Sequence, residues 1–201
     1  MNKILLLFLA SYIIGSISGS LVLGKLWNID IRKFGSKSAG GTNALRTVGV
    51  LFALLTIIVD ISKGLVPTYL IGSYFNYGEI EMMVGAMGAI IGHVYPIFYK
   101  FNGGKGAGTF LGSLIVLSPL SIPYVLCVWI ISLVLSGFVG LSTILAAFTV
   151  FIYSMIEVNM NFQIFSLSIF IFILFTHREN IKRMIKGNEN RFEKVMIFKR
   201  K

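Results

Sequence analysis

Between Gly106 and Ile156 the chain runs for 51 residues without one Asp, Glu, Lys or Arg. A bilayer crossing takes about 20 apolar residues, so this run alone supplies two or three. A water-soluble core does not dispense with charge for so long. The rest of the chain agrees. Only 13% of its 201 residues are charged, about half the share of a soluble domain, and the mean hydropathy is +0.84. Ile4–Gly24 is uncharged for 21 residues, too long for a signal-peptide core, and reads as a retained first helix. Apolar segments fill the whole length, so one domain is expected over residues 1–201, an all-α polytopic integral membrane protein with no soluble module. The lone Cys127 excludes an internal disulfide.

The net charge of +10 is unevenly placed. Residues 25–46 carry Lys25, Arg32, Lys33, Lys37 and Arg46 against Asp30, a net of +4, and residues 177–201 carry a net of +6. Acidic residues sit instead at Glu79, Glu81 and Glu157. Positive charge stays on the cytoplasmic side. Residues 25–46, the turn after Lys100 and the basic tail 177–201 are therefore expected inside a cell inner membrane. The segments near 76–81 and 157–161, and the N-terminus, are expected outside. The basic tail also suits anionic lipid, so the partner that the charge calls for is membrane lipid; no nucleic acid is implied.

The most informative turn follows an apolar segment that ends at His93-Val94-Tyr95-Pro96 and then reads Phe101-Asn102-Gly103-Gly104-Lys105-Gly106. Glycines let backbone N–H groups converge on an anion, and a lysine adds a point charge. The turn is not a nucleotide-binding loop: that motif needs Gly six residues before its Lys and Ser or Thr directly after it, where Tyr99 and Gly106 stand. A phosphate-sized cradle at a membrane edge is what remains. Gly104, Gly108 and Gly112 recur every four residues, a small face for a close helix neighbour.

A second donor-rich stretch is residues 35–46. It holds Gly35, Ser36, Ser38, Gly40, Gly41, Thr42 and Asn43 and ends in Arg46, which can grip a phosphate through two donors. It reads equally as an oxyanion-wrapping loop or as a flexible linker. Upstream, Gly15–Ser20 is a small-residue face that suits helix packing more than ligand contact. Residues 47–78 are apolar except for Asp60 and Lys63, spaced i,i+3. Ionisable groups inside a membrane segment face each other or a cavity, so this is a neutralising pair or a substrate contact. His93 reads as a hydrogen-bonded structural residue or a ligand.

The uncharged run breaks near Ser118-Pro119 and Ser136-Gly137, which fits three short crossings, or one crossing with re-entrant pieces. A last helix over about 160–176 then runs back inward and delivers His177, Arg178, Asn180 and Arg183, with Gly187 as a stop. Hydropathy gives five to seven crossings. The cationic groups available to anions are Arg46, Lys63, Lys105, Arg178 and Arg183. No Cys, His and carboxylate cluster has metal spacing.

Together these motifs resemble the PlsY family, the bacterial acyl-phosphate:glycerol-3-phosphate acyltransferases. The first signature is matched by Gly35-Ser36 through Thr42-Asn43 and Arg46, the second by Gly92-His93, Pro96, Phe98 and Phe101–Gly106, the third by His177, Arg178, Asn180, Ile181 and Arg183. Asp60, Lys63 and Gly64 fit as well. The likeness runs from about Gly15 to Glu189. It departs where the family usually has Gly-Asn for Lys37-Ser38, Ala for Gly41 and Ser for Gly140.

The resemblance implies about seven transmembrane helices, with the N-terminus outside and the C-terminus cytoplasmic. It implies transfer of a fatty acyl group from acyl phosphate to the 1-hydroxyl of glycerol 3-phosphate, giving 1-acylglycerol 3-phosphate for phospholipid synthesis. No cofactor, metal or acyl-CoA is implied, and the soluble enzyme that makes acyl phosphate is an implied partner. Carried over residue by residue, the catalytic set is Ser36, Arg46, Lys105, His177 and Asn180. The substrate-binding set is Gly40, Thr42, Asn43, Asp60, Lys63, His93, Gly103, Gly104, Gly106 and Arg178. His177 orients substrate or acts as general base helped by Asn180, while the donor's own phosphate is the other candidate proton acceptor. Ser36 is a hydrogen-bond donor in this reading. The rival from another class is a transporter of a phosphorylated metabolite, for which broken helices and midplane charges are the marks.

Overall fold

The computed structural model describes residues 2–157 and 159–197, with nothing said of the Lys194 side chain. Among these residues every regular element is helical. The chain divides into two compact units, Met1–Pro119 and Leu120–Lys201.

In the first unit, α1 (Lys3–Gly15) and α2 (Gly19–Leu26) are two pieces of the single helix expected from hydropathy. The break has a local cause. Ser16 Oγ donates to the Tyr12 carbonyl at 2.8 Å, and Ser18 is already extended. Hydroxyls that bond the preceding turn compete with helix continuation. A short helix α3 (Gly41–Thr47) leads through Gly49, at φ +133°, into α4 (Val50–Tyr69). Then come α5 (Glu79–Val94) and α6 (Ala107–Leu117).

The helix α4 is the hub of this unit, packed by α2, α3, α5 and α6, while α1 lies along α5. Glycine makes the close approaches possible. A Cβ on Gly64 would overlap the Thr109 carbonyl, one on Gly112 the Ile61 carbonyl, and one on Gly92 the Tyr12 carbonyl. Backbones at this distance gain contact along their whole length, the main source of helix association where lipid is as apolar as the side chains. The expected Gly108 and Gly112 face is therefore present, with Gly104 lying just before the helix.

In the second unit α7 (Ile122–Ser136), α8 (Val139–Glu157) and α9 (Met160–Thr176) follow one another, with α8 packed on both neighbours. The amphipathic helix α10 (Arg178–Ile185) turns away from α9 by 54°. The tail then folds back. Phe192 N donates to the Gly137 carbonyl at 2.8 Å, and Met196 packs on Gly137 at the α7–α8 corner.

Among the described residues five segments are long and apolar enough to cross a bilayer: Lys3–Leu26, Val50–Tyr74, Glu79–Tyr99, Pro119–Ser136 and Val139–Glu157. The bent pair α9–α10 makes a sixth if it is one span. The seventh apolar helix, α6, has 11 residues, about 17 Å at 1.5 Å per residue and short of a hydrocarbon core about 30 Å thick. Three helices occupy residues 107–157, of which α7 and α8 are long enough to cross.

Candidate active site

The loop between α2 and α3 is wound around one side chain. Asn43, buried on the first turns of α3, donates through Nδ2 to the carbonyls of Ile31, Phe34 and Ser38 at 2.9, 3.2 and 3.0 Å. Its Oδ1 accepts from Ser36 N at 2.9 Å. Gly35, at φ +57°, lies so close that a Cβ would overlap Oδ1. Asn43 thus shapes the loop from within, and its amide hydrogens are spent on the loop's own backbone. Beneath it a small apolar core of Ile31, Ala44, Phe52 and Ala53 seats the loop on α4. The other donors, Ser36, Thr42 and Arg46, are half-buried, and Gly40 caps α3.

The glycine turn meets this loop directly. Ala39 N donates to the Gly103 carbonyl at 3.1 Å, and the Ala39 carbonyl accepts from Ser20 Oγ at 2.8 Å. Arg32 braces the turn from the side: Nη1 donates to the carbonyls of Tyr99 and Asn102 at 3.2 and 3.3 Å, while Nε and Nη2 hold Asp30 at 3.0 and 2.8 Å. The brace has a purpose, because Lys100 and Phe101 are both left-handed, at φ +56°. Non-glycine residues there cost about 1–3 kcal/mol each and persist only when neighbours over-determine them. Neither Arg32 nor Ser20 was in the expected site. Arg32 looked like one more cytoplasmic cation, and Ser20 like part of a packing face.

From the turn the chain passes through half-buried Lys105 and Gly106, at φ +91°, straight into α6. No side chain caps the first turn of α6. Its amides and the positive end of its dipole therefore belong to the same corner as Lys105. Gly103 N and Gly104 N donate to the carbonyls of Val94 and His93 at 3.2 and 3.1 Å.

Asp60, Lys63 and His93 form one buried cluster. Lys63 Nζ lies 3.1 Å from Asp60 Oδ1, with the two side chains 4% and 5% exposed. It also donates to the Ile17 carbonyl at 3.0 Å, at the α1–α2 break. His93 Nδ1 lies 3.4 Å from the same carboxylate oxygen. Neither carboxylate contact has hydrogen-bond geometry, so Asp60 Oδ1 and His93 Nδ1 have no aligned partner among the described residues. Of the two readings open for Asp60 and Lys63, the structure contains the pair.

In the second unit His177 sits at the α9–α10 corner, buried, with Nδ1 2.8 Å from the Ile173 carbonyl. A carbonyl only accepts, so Nδ1 carries a proton and donates it there. Asn180, also buried, donates to Glu189 Oε1 at 2.9 Å, and Arg183 Nε donates to Glu189 Oε2. Arg183 is thus committed to a carboxylate that sequence reasoning did not single out. No spacing pointed to it, because Glu189 lies beyond the end of α10 at Ile185. Arg178 is exposed, its guanidinium 4.2 Å above the Phe175 ring. Gly140 on α8 faces Asn180 at 3.0 Å from where its Cβ would stand. No group of three metal-ligating side chains occurs among the described residues.

The sequence profile of the glycerol-3-phosphate acyltransferase family matches residues 5–187. A glycerol-3-phosphate acyltransferase of Finegoldia magna is 39% identical over 194 residues, covering 95% of this chain and 97% of its own. One of Geotalea daltonii is 37% identical, covering 96% and 100%. The crystal structure of PlsY (YgiH), an integral membrane glycerol 3-phosphate acyltransferase, in its glycerol 3-phosphate form is similar with a TM-score of 0.89 at 31% identity, covering 95% of this chain and 96% of that one. Its lysophosphatidic acid form gives 0.87 at 30%.

Proposed function

The chain belongs to the glycerol-3-phosphate acyltransferase family, and from that premise we propose that its acyl donor is acyl phosphate and its acceptor the 1-hydroxyl of glycerol 3-phosphate. The acceptor oxygen attacks the acyl carbonyl carbon, the new ester C–O bond forms, the bond to the phosphate oxygen breaks, and inorganic phosphate leaves. Acyl phosphate is a mixed anhydride with a good leaving group. Holding two anions and stabilising developing charge therefore carries most of the catalysis.

The observation that supports this reading is the junction of the two donor loops through Ala39 and Gly103 and through Arg32. It joins the loop of Ser36, Gly40, Thr42 and Arg46 to the turn of Gly103, Gly104, Lys105 and Gly106. Two phosphate-sized anions, one for each loop, are the substrates that such a set suits. Asn43 serves by shaping its loop. In the second unit His177 is the candidate orienting group or general base, with Asn180 and Arg178 beside it on α10, and the donor's own phosphate is the other candidate proton acceptor. The glycerol 3-phosphate and lysophosphatidic acid forms of the similar crystal structure correspond to acceptor and product of this reaction. We assign the protein to the cell inner membrane as one acyltransferase domain, with loop 25–46, the glycine turn and the tail on the cytoplasmic side.

The test is turnover by purified protein given palmitoyl phosphate and glycerol 3-phosphate with EDTA and without CoA, read as phosphate and lysophosphatidate by mass spectrometry. Product is expected, reduced on the order of 10²–10³-fold in Arg46→Ala and in Lys105→Ala. A pH–rate profile that follows an imidazole and is lost in His177→Ala supports the general-base role. An unchanged profile in a residually active variant assigns the proton to the donor phosphate. No product from folded protein overturns the reading in favour of transport, which leaves its cargo chemically unchanged.

A further inference from the structure

The first unit buries three ionisable side chains inside membrane-spanning helices, where each is costly. Asp60 and Lys63 neutralise one another, yet a buried ion pair is seldom more stable than two apolar residues of the same volume. Stability alone therefore does not explain the pair. The third member does more. The imidazole of His93 stands between the Asp60 carboxylate, 3.4 Å from Nδ1, and the glycine turn, where a Cβ on Gly104 would overlap Nε2 and Cε1. The main chain of the same residue holds the turn as well, its carbonyl accepting from Gly104 N at 3.1 Å.

Asp60 is itself held on two more sides. Gly108 of α6 brings its backbone to where a Cβ would be 3.2 Å from Asp60 Cβ, and Lys63 ties the pair to the Ile17 carbonyl. The cluster thus touches α4, α5, α6 and the α1–α2 break, and through the His93 ring it meets Gly104, next to Lys105.

We propose that Asp60 and His93 are positioning residues for acyl transfer: Asp60 orients the His93 imidazole, and the imidazole edge sets the height of the Gly103–Lys105 turn. Lys105 and the first amides of α6 are thereby fixed relative to the loop of residues 36–46. The assignment rests on the acyltransferase reading. It differs from direct substrate contact because the imidazole reaches the reaction only through the turn.

The experiment is a double-mutant cycle across the ring–glycine contact, with kcat and KM for both substrates and the amount of monodisperse protein recorded for each variant. His93→Ala and Gly104→Ala are each expected to lower kcat/KM by about tenfold to a hundredfold at undiminished amounts of folded protein, since misplacement by an ångström has effects of that order. The double variant removes the ring that the methyl group introduced by Gly104→Ala would strike, and is expected to recover at least about threefold over the worse single. In a Lys105→Ala background, His93→Ala is expected to lower the residual rate by less than about twofold. Losses that multiply in either cycle overturn the proposal and make His93 a substrate contact. If His93→Ala does not fold, His93→Gln takes its place; no folded protein from either makes the cluster a folding element and also overturns it. Wild-type protein in the same assay separates the two levels: no wild-type turnover is failure of the acyltransferase reading, whereas turnover without recovery is failure of this one.

Discussion

Single side chains carry much of the architecture here. Asn43 ties the carbonyls of Ile31, Phe34 and Ser38 to the Ser36 amide, and each such bond contributes about 1 kcal/mol net. Asn43→Ala is expected to destabilise the protein by about 2–4 kcal/mol, read as a fall in thermal midpoint in detergent, with loss of turnover. Full activity and an unchanged midpoint would show that the loop holds without it. The Asp30–Arg32 pair has a pH signature. The Arg32 guanidinium holds the Asp30 carboxyl below its ordinary value of 3.8, and the carboxylate in turn raises Arg32. Because the folded value is the lower one, the contribution is complete above pH 3.8 and is lost as pH falls through the depressed value. Both groups are partly solvated, so the term is about 0.5 kcal/mol. The stability gap between wild type and Asp30→Asn is expected to be flat from neutral down to about pH 5 and to close below about pH 4. A gap that widens in acid contradicts the assignment.

Between elements, the deciding quantity is how closely backbones approach. A Cβ on Gly112 would overlap the Ile61 carbonyl, so Gly112→Ala has to push α6 off α4. The expected result is a several-fold drop in monodisperse protein. A subtler case is Gly41, which stands where the family usually has Ala. A Cβ there would overlap Ile57 Cγ1 on α4. The departure is therefore matched to its neighbour. Gly41→Ala alone is expected to lower stability by about 1–3 kcal/mol, the usual effect of overpacking, and Ile57→Ala to relieve it in the double variant. Additive losses would remove Ile57 as the reason. Gly140 is matched in the same manner to Asn180, the nearest side chain to its missing Cβ. Some of this was legible in advance. The four-residue glycine spacing announced a close helix pair. The identity of the partner helix was not legible, since a small face fits any backbone brought against it.

For the molecule as a whole, the asymmetry of charge predicts an orientation across the bilayer. In a Cys127→Ser background, Asn76→Cys is expected to react with an impermeant maleimide in intact cells, and Lys33→Cys only after permeabilisation. The reverse pattern would place the basic loops outside and overturn the cytoplasmic assignment of both donor loops.

The class of the protein follows from the sequence alone, because transfer of an uncharged 51-residue run into lipid is favourable whatever the neighbours do. The last apolar helix over 160–176 and the glycine stop at Gly187 were equally local matters, settled by runs, caps and breakers. Tertiary structure decided the rest. The α1–α2 break at Ser16–Ser18 presents a carbonyl to Lys63, 46 positions away, and Asp60 meets His93 across two helices. Arg32 finds the carbonyls of a turn that hydropathy treats as an unrelated segment. Hydropathy records which segments lie in lipid, where every face of a helix is apolar; which two faces then meet depends on the volume between them, and that is a property of the packed chain.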